Sequence, residues 1–259
     1  MSAPAMHIAA LNLYPLKGAA AVALDAVEID ALGPVGDRRY CLARPGGRVF
    51  TQRDDANLAR LRAALRGEGL SLSFDGEQVD VPPDAFDARG EIRVWSRSAT
   101  ACIAAARINA VVTHWFGTPL QLAKLDRPAQ REGAALAFGD AAALLVANNA
   151  SLDALNAALP APIGMERFRP NIVVGDAGAF AEDDWRELRI GDALLAPVHA
   201  CGRCEVTTID QAFGAVRGDE PLRTLSRLRM RDGEAVFGVL YAVAQSGRVR
   251  LGDRVELLD

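Results

Sequence analysis

The chain has 259 residues, half of them apolar, and a formal net charge of −4, enough material for two modest domains or one large β domain with a substantial core. No run of Lys and Arg is present, which excludes the clustered cations of a nucleic-acid surface. The longest purely apolar stretch, residues 141–147, falls far short of the roughly 20 residues that cross a bilayer. With no charged-then-apolar leader and four cysteines that fit a reducing compartment, a cytoplasmic protein acting on small molecules is expected.

Strand signals fill the first hundred residues. Val22 with Leu24, then Val27 with Ile29, alternate after a change of phase, and Gly33-Pro34-Val35-Gly36-Asp37 punctuates the chain before a short strand from Arg39 to Ala43. Leu70, Leu72 and Phe74 alternate with Ser71 and Ser73 and run into Asp75-Gly76, a hairpin signal because glycine tolerates positive φ. The period then changes. Ile108, Val111, Val112 and Trp115 fall at helical spacing, which predicts an amphipathic helix from about Thr100 to Phe116, ended by Gly117 and Pro119.

The polar segment from Lys124 to Gly133 reads as a linker or lid. Beyond it, Leu144 to Ala147 predicts a buried strand, and Ser151 caps a short helix through Leu159 before Pro160 and Pro162. Short strands are then expected at 172–174, 188–190, 193–198, 206–209, 235–243 and 248–258, with Gly-Asp turns at 175, 191 and 252. Many short strands with regular turns predict a closed or partly closed β-barrel. The fold class is therefore mainly β with a few helices (α+β), a small N-terminal β domain over residues 1–124 and a C-terminal β-barrel over 125–259.

The stretch from His199 to Thr208 holds Cys201-Gly202-Arg203-Cys204. Arg203 beside a thiol lowers its pKa, and only the thiolate binds soft metals or attacks electrophiles. A closed zinc site needs about four ligands, and Cys41, Cys102, His7, His114 and His199 offer no second paired spacing. A thioredoxin-like pair sits between strand and helix, whereas Glu205 to Ile209 reads as continuing strand. Spacing alone leaves inert core thiols and a functional thiol equally open.

Lysine is rare, with Lys17 and Lys124 as its two instances. Lys17 follows a short apolar strand and precedes Gly18, so ammonium and backbone N–H can meet one anion. Arg167, Arg169 and Asn171 lie in a proline-limited segment entering a strand, and guanidinium forks suit phosphate. Each alone is more often a solvated charge; together with the Cys-Arg unit they call for a ligand with a phosphate at one end and a soft metal at the other.

These segments carry a resemblance: Tyr14-Pro15-Leu16-Lys17-Gly18, Gly36-Asp37-Arg38-Arg39-Tyr40, Ala150 to Asn156, Phe168-Arg169-Pro170-Asn171-Ile172-Val173-Val174, and Cys201 through Thr208. The chain resembles, nearly end to end, the molybdenum-cofactor sulfurase C-terminal (MOSC) proteins with their N-terminal β-barrel partner domain, nearest in likeness to the mitochondrial amidoxime-reducing component and its bacterial relatives. The resemblance implies Mo-molybdopterin, the molybdenum cofactor, with Cys204 as the protein ligand of the metal. It implies that Lys17, Gly18, Arg38, Arg169, Asn171, Gly202 and Arg203 bind the pterin and its phosphate, and that Asp140 is an acidic group close to the metal and a candidate for proton handling. Ala141 and Ala142 stand where relatives often carry hydroxyl residues, so contacts there are absent or supplied by backbone.

The activity so implied is reduction of N-hydroxylated compounds from N–OH to N–H. The sequence ends at Asp259, soon after its last expected strand, with neither the iron–sulfur domain of some bacterial members nor a transmembrane anchor. Electrons are thus expected from a separate protein, a ferredoxin-type carrier or a flavin reductase. A non-catalytic cofactor or sulfur carrier, or a barrel whose two thiols merely pack or take adventitious zinc, are the competing readings.

Overall fold

The computed structural model describes residues 5–131, 134–139 and 141–258. Strands dominate it. Among the described residues the α-helices are Ala106–Phe116, Asn149–Asn156 and Leu222–Leu228, and none is long and apolar enough to cross a membrane.

The main sheet runs in the order Val22–Leu24, His7–Leu13, Ile172–Gly175, Leu144–Asn148, Glu234–Gln245, Ala193–Gly202, Glu187–Ile190, Val255–Leu258. Its far end returns to the strand His7–Leu13. The Ile8 N–H donates to the Asp253 carbonyl at 2.9 Å, the Val255 N–H donates to Met6 at 2.9 Å, and His7 bridges Arg254. The sheet is thereby closed into a barrel, which removes its exposed edges. Leu144–Asn148 and Ile172–Gly175 are a parallel pair joined through the helix Asn149–Asn156, as a parallel connection requires. Leu144 and Val146 face the barrel core while Ala147 packs with Leu155, Phe168 and Phe237 on the other side. Two buried faces explain why this strand is continuously apolar.

The barrel draws on both ends of the sequence. Ala26–Asp30 pairs with Gly247–Arg250, as His7–Leu13 does with Ile172–Gly175. The remaining N-terminal residues form a sheet in the order Tyr40–Ala43, Gln121–Arg127, Arg97–Ala104, Phe86–Val94, and a meander of Arg62–Arg66, Gly69–Phe74 and Glu77–Val81. Between them the helix Ala106–Phe116 buries Ile108 and Val112 against Leu58, Leu72 and Leu122. The Asp75-Gly76 loop has positive φ at both residues, +49° and +88°, as a two-residue hairpin demands.

Several expectations are corrected. Residues 100–104 belong to a strand, paired with Phe86–Val94 and Gln121–Arg127, and the helix begins at Ala106. The segment from Lys124 is no lid as far as it is described: Gln121–Arg127 and Ala129–Arg131 are strands, and residues 132 and 133 lie outside the described ones. Asn148 caps the second helix by accepting from the Ala150 N–H at 3.0 Å; Ser151 lies inside and its hydroxyl donates to Glu182 at 2.7 Å. That helix ends at Asn156, whose side chain exchanges hydrogen bonds with the Ile163 backbone at 3.0 and 2.9 Å. The last expected strand is two, Gly247–Arg250 and Val255–Leu258.

Candidate functional site

A cavity of about 490 Å³ opens where the N-terminal segments meet the barrel. The strand His7–Leu13 leads through buried Tyr14, Pro15 and Leu16 to Lys17, which lines the cavity and is only 6% exposed. The Lys17 backbone N–H donates to Tyr40 at 2.8 Å. Gly18 follows with φ +83°, and a Cβ there would come within 2.6 Å of the Leu58 side chain. Cys41 is a core thiol next to this lysine: burial pushes it up, and the nearby ammonium only partly opposes that.

Asp37 organises the next layer. It is 2% exposed and accepts at Oδ1 from the Tyr14 N–H at 2.8 Å and from Asn171 Nδ2 at 3.0 Å. Its Oδ2 pairs with Arg38, which also donates to Asn171 Oδ1 at 3.1 Å. Asn171 is fixed from its own side by the Leu145 N–H at 3.2 Å and by donating to Asn12 at 3.2 Å. One buried carboxylate therefore ties the Gly36–Tyr40 turn to the entry of the strand Ile172–Gly175.

Arg38 and Arg169 both have positive φ, +49° and +57°. Their guanidinium carbons lie 4.7 and 4.3 Å from the Tyr14 ring centroid, within cation–π range. Burial pushes the Tyr14 hydroxyl up to about 12 despite these cations, so the ring acts as a neutral platform. Arg169 also donates to Gln211 at 3.2 Å and to the Ala19 carbonyl at 2.7 Å. Arg167 turns away from the cavity: it is buried, donates to Thr207 at 3.3 Å and lies 3.7 Å from Asp210.

The strand Ala193–Gly202 carries the cysteine pair to the opposite wall. Arg203 Nη1 is 2.8 Å from Cys201 Sγ, and Nη2 donates to the Phe168 carbonyl at 2.7 Å. Cys204 opens a 3₁₀ turn, Glu205–Thr208, and its carbonyl accepts from the Thr207 N–H at 3.0 Å and hydroxyl at 2.9 Å. The expected strand over 206–209 is therefore absent until Ile209, and strand continuation cannot be held against a redox pair. The cationic surroundings distinguish the site instead. Among the described residues, Lys17, Arg38, Arg53, Arg169 and Arg203 line the cavity against one lining carboxylate, Glu234. Among the described residues, no group of three or more His, Cys, Asp and Glu side chains is placed to hold a metal ion.

Lys17, Gly18, Arg38, Arg169, Asn171, Gly202, Arg203 and Cys204 all line this one cavity. Asp140 lies outside the described residues, while its neighbours Gly139, Ala141 and Ala142 are in the lining. Residues 133–256 match the MOSC domain and residues 5–119 match the MOSC N-terminal beta barrel domain. The chain is a MOSC-domain protein. It is 29% identical to mitochondrial amidoxime-reducing component 1 of Xenopus laevis over 96% of this chain and 81% of that protein, and 28% identical to the Homo sapiens protein of that name over 97% and 82%. The molybdenum cofactor sulfurase of Oryza sativa subsp. japonica is 26% identical over 91% of this chain but 32% of that protein.

Within this MOSC protein, sequence reasoning missed the supports of the site. Asp37 stands in a turn signal and in the Gly36–Tyr40 motif with no role assigned, although an acid beside Arg38 announces a possible counter-charge. Thr51, Gln52, Arg53 and Trp95 enter the lining from turns of the N-terminal half, and Gln52 and Gln211 exchange side-chain hydrogen bonds at 3.0 Å in each direction. No local motif marks a pair 159 residues apart.

Proposed function

We propose that this chain is a molybdenum-cofactor oxidoreductase that reduces N-hydroxylated compounds, with electrons from a separate ferredoxin-type carrier or flavin reductase. The observation that carries the reading is a partly buried thiol, Cys204, in the wall of a cavity that also gathers Lys17, Arg38, Arg169 and Arg203. An anionic pterin phosphate leaving water requires such cations and N–H donors. The residues fit the group: Arg203 Nε is buried with no hydrogen-bond partner among the described residues, and Gly18 and Gly202 line the cavity with no side chain between backbone and ligand. The likeness to amidoxime-reducing components over nearly the whole chain supports the same reading.

In this reading Cys204 holds the molybdenum, while Lys17, Gly18, Arg38, Arg169, Asn171, Gly202 and Arg203 hold the pterin and its phosphate. When bound, the cofactor supplies a two-electron metal centre whose electronics the thiolate tunes. Converting R–NHOH to R–NH₂ and water takes two electrons and two protons, so the chain must also bring protons to the departing oxygen. Asp140, between cavity-lining Gly139 and Ala141, is the proposed proton-handling group. The proposed division is residues 1–124 and 125–259, with the strand His7–Leu13 of the first completing the barrel of the second, in a cytoplasmic protein.

A second reading, a cofactor or sulfur carrier, draws on the likeness to a molybdenum cofactor sulfurase. Wild type and Cys204→Ala, purified from a host with active cofactor synthesis, separate these readings. Near-stoichiometric molybdenum and pterin in wild type, metal lost in the variant, and reoxidation of the reduced protein by benzamidoxime are expected. Bound cofactor without reoxidation establishes the carrier; zinc or no metal in both proteins overturns both readings.

A further inference from the structure

Trp95 is 60% exposed and lines the same cavity as Cys204. It occupies the first position of the two-residue loop between Phe86–Val94 and Arg97–Ala104, where Val94 pairs with Arg97, and its φ is +57°. Glycine takes that position without strain, whereas a bulky residue does not. An exposed, strained indole at a cavity mouth adds nothing to the core, so its placement points to a ligand.

The surroundings fix this ring. The Arg53 guanidinium lies 4.6 Å from its centroid, and Arg53 Nε donates to Glu205 Oε1 at 2.7 Å, on the residue after Cys204. On the other flank Arg97 donates to the Gly139 carbonyl at 2.7 Å, fastening the hairpin to the cavity rim. The hairpin that carries the indole is thus tied to the Cys204 segment through Arg53 and to the 139–142 rim through Arg97.

We infer that Trp95, backed by Arg53, is the subsite for a flat, conjugated part of the substrate, selecting aromatic N-hydroxylated compounds over aliphatic ones. This rests on the reductase reading for its turnover test but not for its binding test. Conjugated rings stack on indole, and small alkyl groups gain far less there. Trp95 acts as a specificity residue, apart from the proton and electron transfers.

The test compares benzamidoxime with acetamidoxime, which share the reacting N–OH group. Of the chain's three tryptophans, Trp185 is buried at 6% exposure and Trp115 packs beside Phe74 against the N-terminal core; neither lines the cavity, so Trp95 is the indole that a cavity ligand reaches. Wild type should show saturable fluorescence quenching by benzamidoxime and little by acetamidoxime, and Trp95→Asn, chosen because asparagine tolerates positive φ, should lose the benzamidoxime response. In the loaded enzyme Trp95→Asn should raise the benzamidoxime KM about tenfold with kcat and the acetamidoxime constants unchanged, and Trp95→Tyr should restore the KM. Undiminished quenching in Trp95→Asn, or an equal loss for both substrates, overturns the subsite. Saturable quenching that depends on Trp95, without turnover of either substrate by the loaded wild type, sinks the reductase reading and leaves the subsite standing.

Discussion

Asn171 donates to Asp37 Oδ1 at 3.0 Å while its own Oδ1 accepts from Arg38 at 3.1 Å, so an amide 134 residues away in sequence closes a ring around a buried ion pair. Removing the carboxylate leaves the Tyr14 N–H without its acceptor and takes one partner each from the Asn171 amide and the Arg38 guanidinium. Breaking one side of a buried pair costs about 3–5 kcal/mol. Asp37→Ala should therefore lower unfolding free energy in urea by about that amount, and Asp37→Asn, which retains an acceptor, by distinctly less. Equal losses for the two would show that the lost charge, not the lost acceptor, carries the whole effect.

Two glycines of the candidate site should respond differently to alanine. Gly18 has φ +83°, and its added Cβ meets Leu58 Cδ2 at 2.6 Å inside a packed core. Gly202 lacks the positive φ, and its Cβ meets Glu234 Oε2 at 2.2 Å, the far end of an exposed side chain that can swing aside. Gly18→Ala should cost roughly 1–3 kcal/mol and Gly202→Ala under about 1 kcal/mol. Thermal and urea unfolding of the two variants check the order, and a reversal would mean that Glu234 is held rigidly.

The strand Gly69–Phe74 and the hairpin turn after it were legible because large apolar residues alternate with serines and the Asp75-Gly76 loop supplies the positive φ. The strand Arg97–Ala104 was not, since its inward positions include Ala99 and Ala101, too small to register beside the Ile108 and Val112 period that follows. At the site, Lys17, Arg169, Asn171 and the Cys201–Cys204 unit stood out by residue type and spacing, and Arg38 through the motifs of the resemblance. Tyr14 and Asp37 stood in those motifs without a role, and Gln52, Trp95 and Gln211 stood outside them. What places these residues is closure of the barrel by the strand His7–Leu13, a long-range pairing that local periodicity does not encode.

Glu182 gives a pH dependence of defined sign. Burial raises its carboxyl above the ordinary glutamate range, against hydrogen bonds from Ser151 at 2.7 Å and Asn148 at 3.2 Å that lower it. The folded protein therefore holds this proton to higher pH than the unfolded chain does. Between the ordinary value of about 4.3 and the raised one, the native state binds more protons, so this group's contribution to stability falls as pH rises and levels off once both states are ionised. Glu182→Gln should remove that component of the slope. Urea midpoints of wild type and variant across this interval check it, and parallel curves would assign the slope to other groups.

The cation-lined cavity should bind a polyanion before any cofactor is considered. Arg38 and Arg169 converge on the Tyr14 ring, and Lys17 and Arg203 line the same cavity. Inorganic pyrophosphate, with the charge and oxygen geometry of a phosphate tail, should raise the melting temperature of cofactor-free protein. Ligand at a hundredfold excess over Kd adds about 2.7 kcal/mol to the folded state. Arg169→Gln should abolish most of the shift, whereas Arg89→Gln, which removes the same charge from an exposed pair with Asp126, should leave it intact. Added salt should weaken the shift only modestly, because partly buried charges are screened less than surface ones. A shift equal in both variants and erased by moderate salt would reduce the interaction to the general field of the surface.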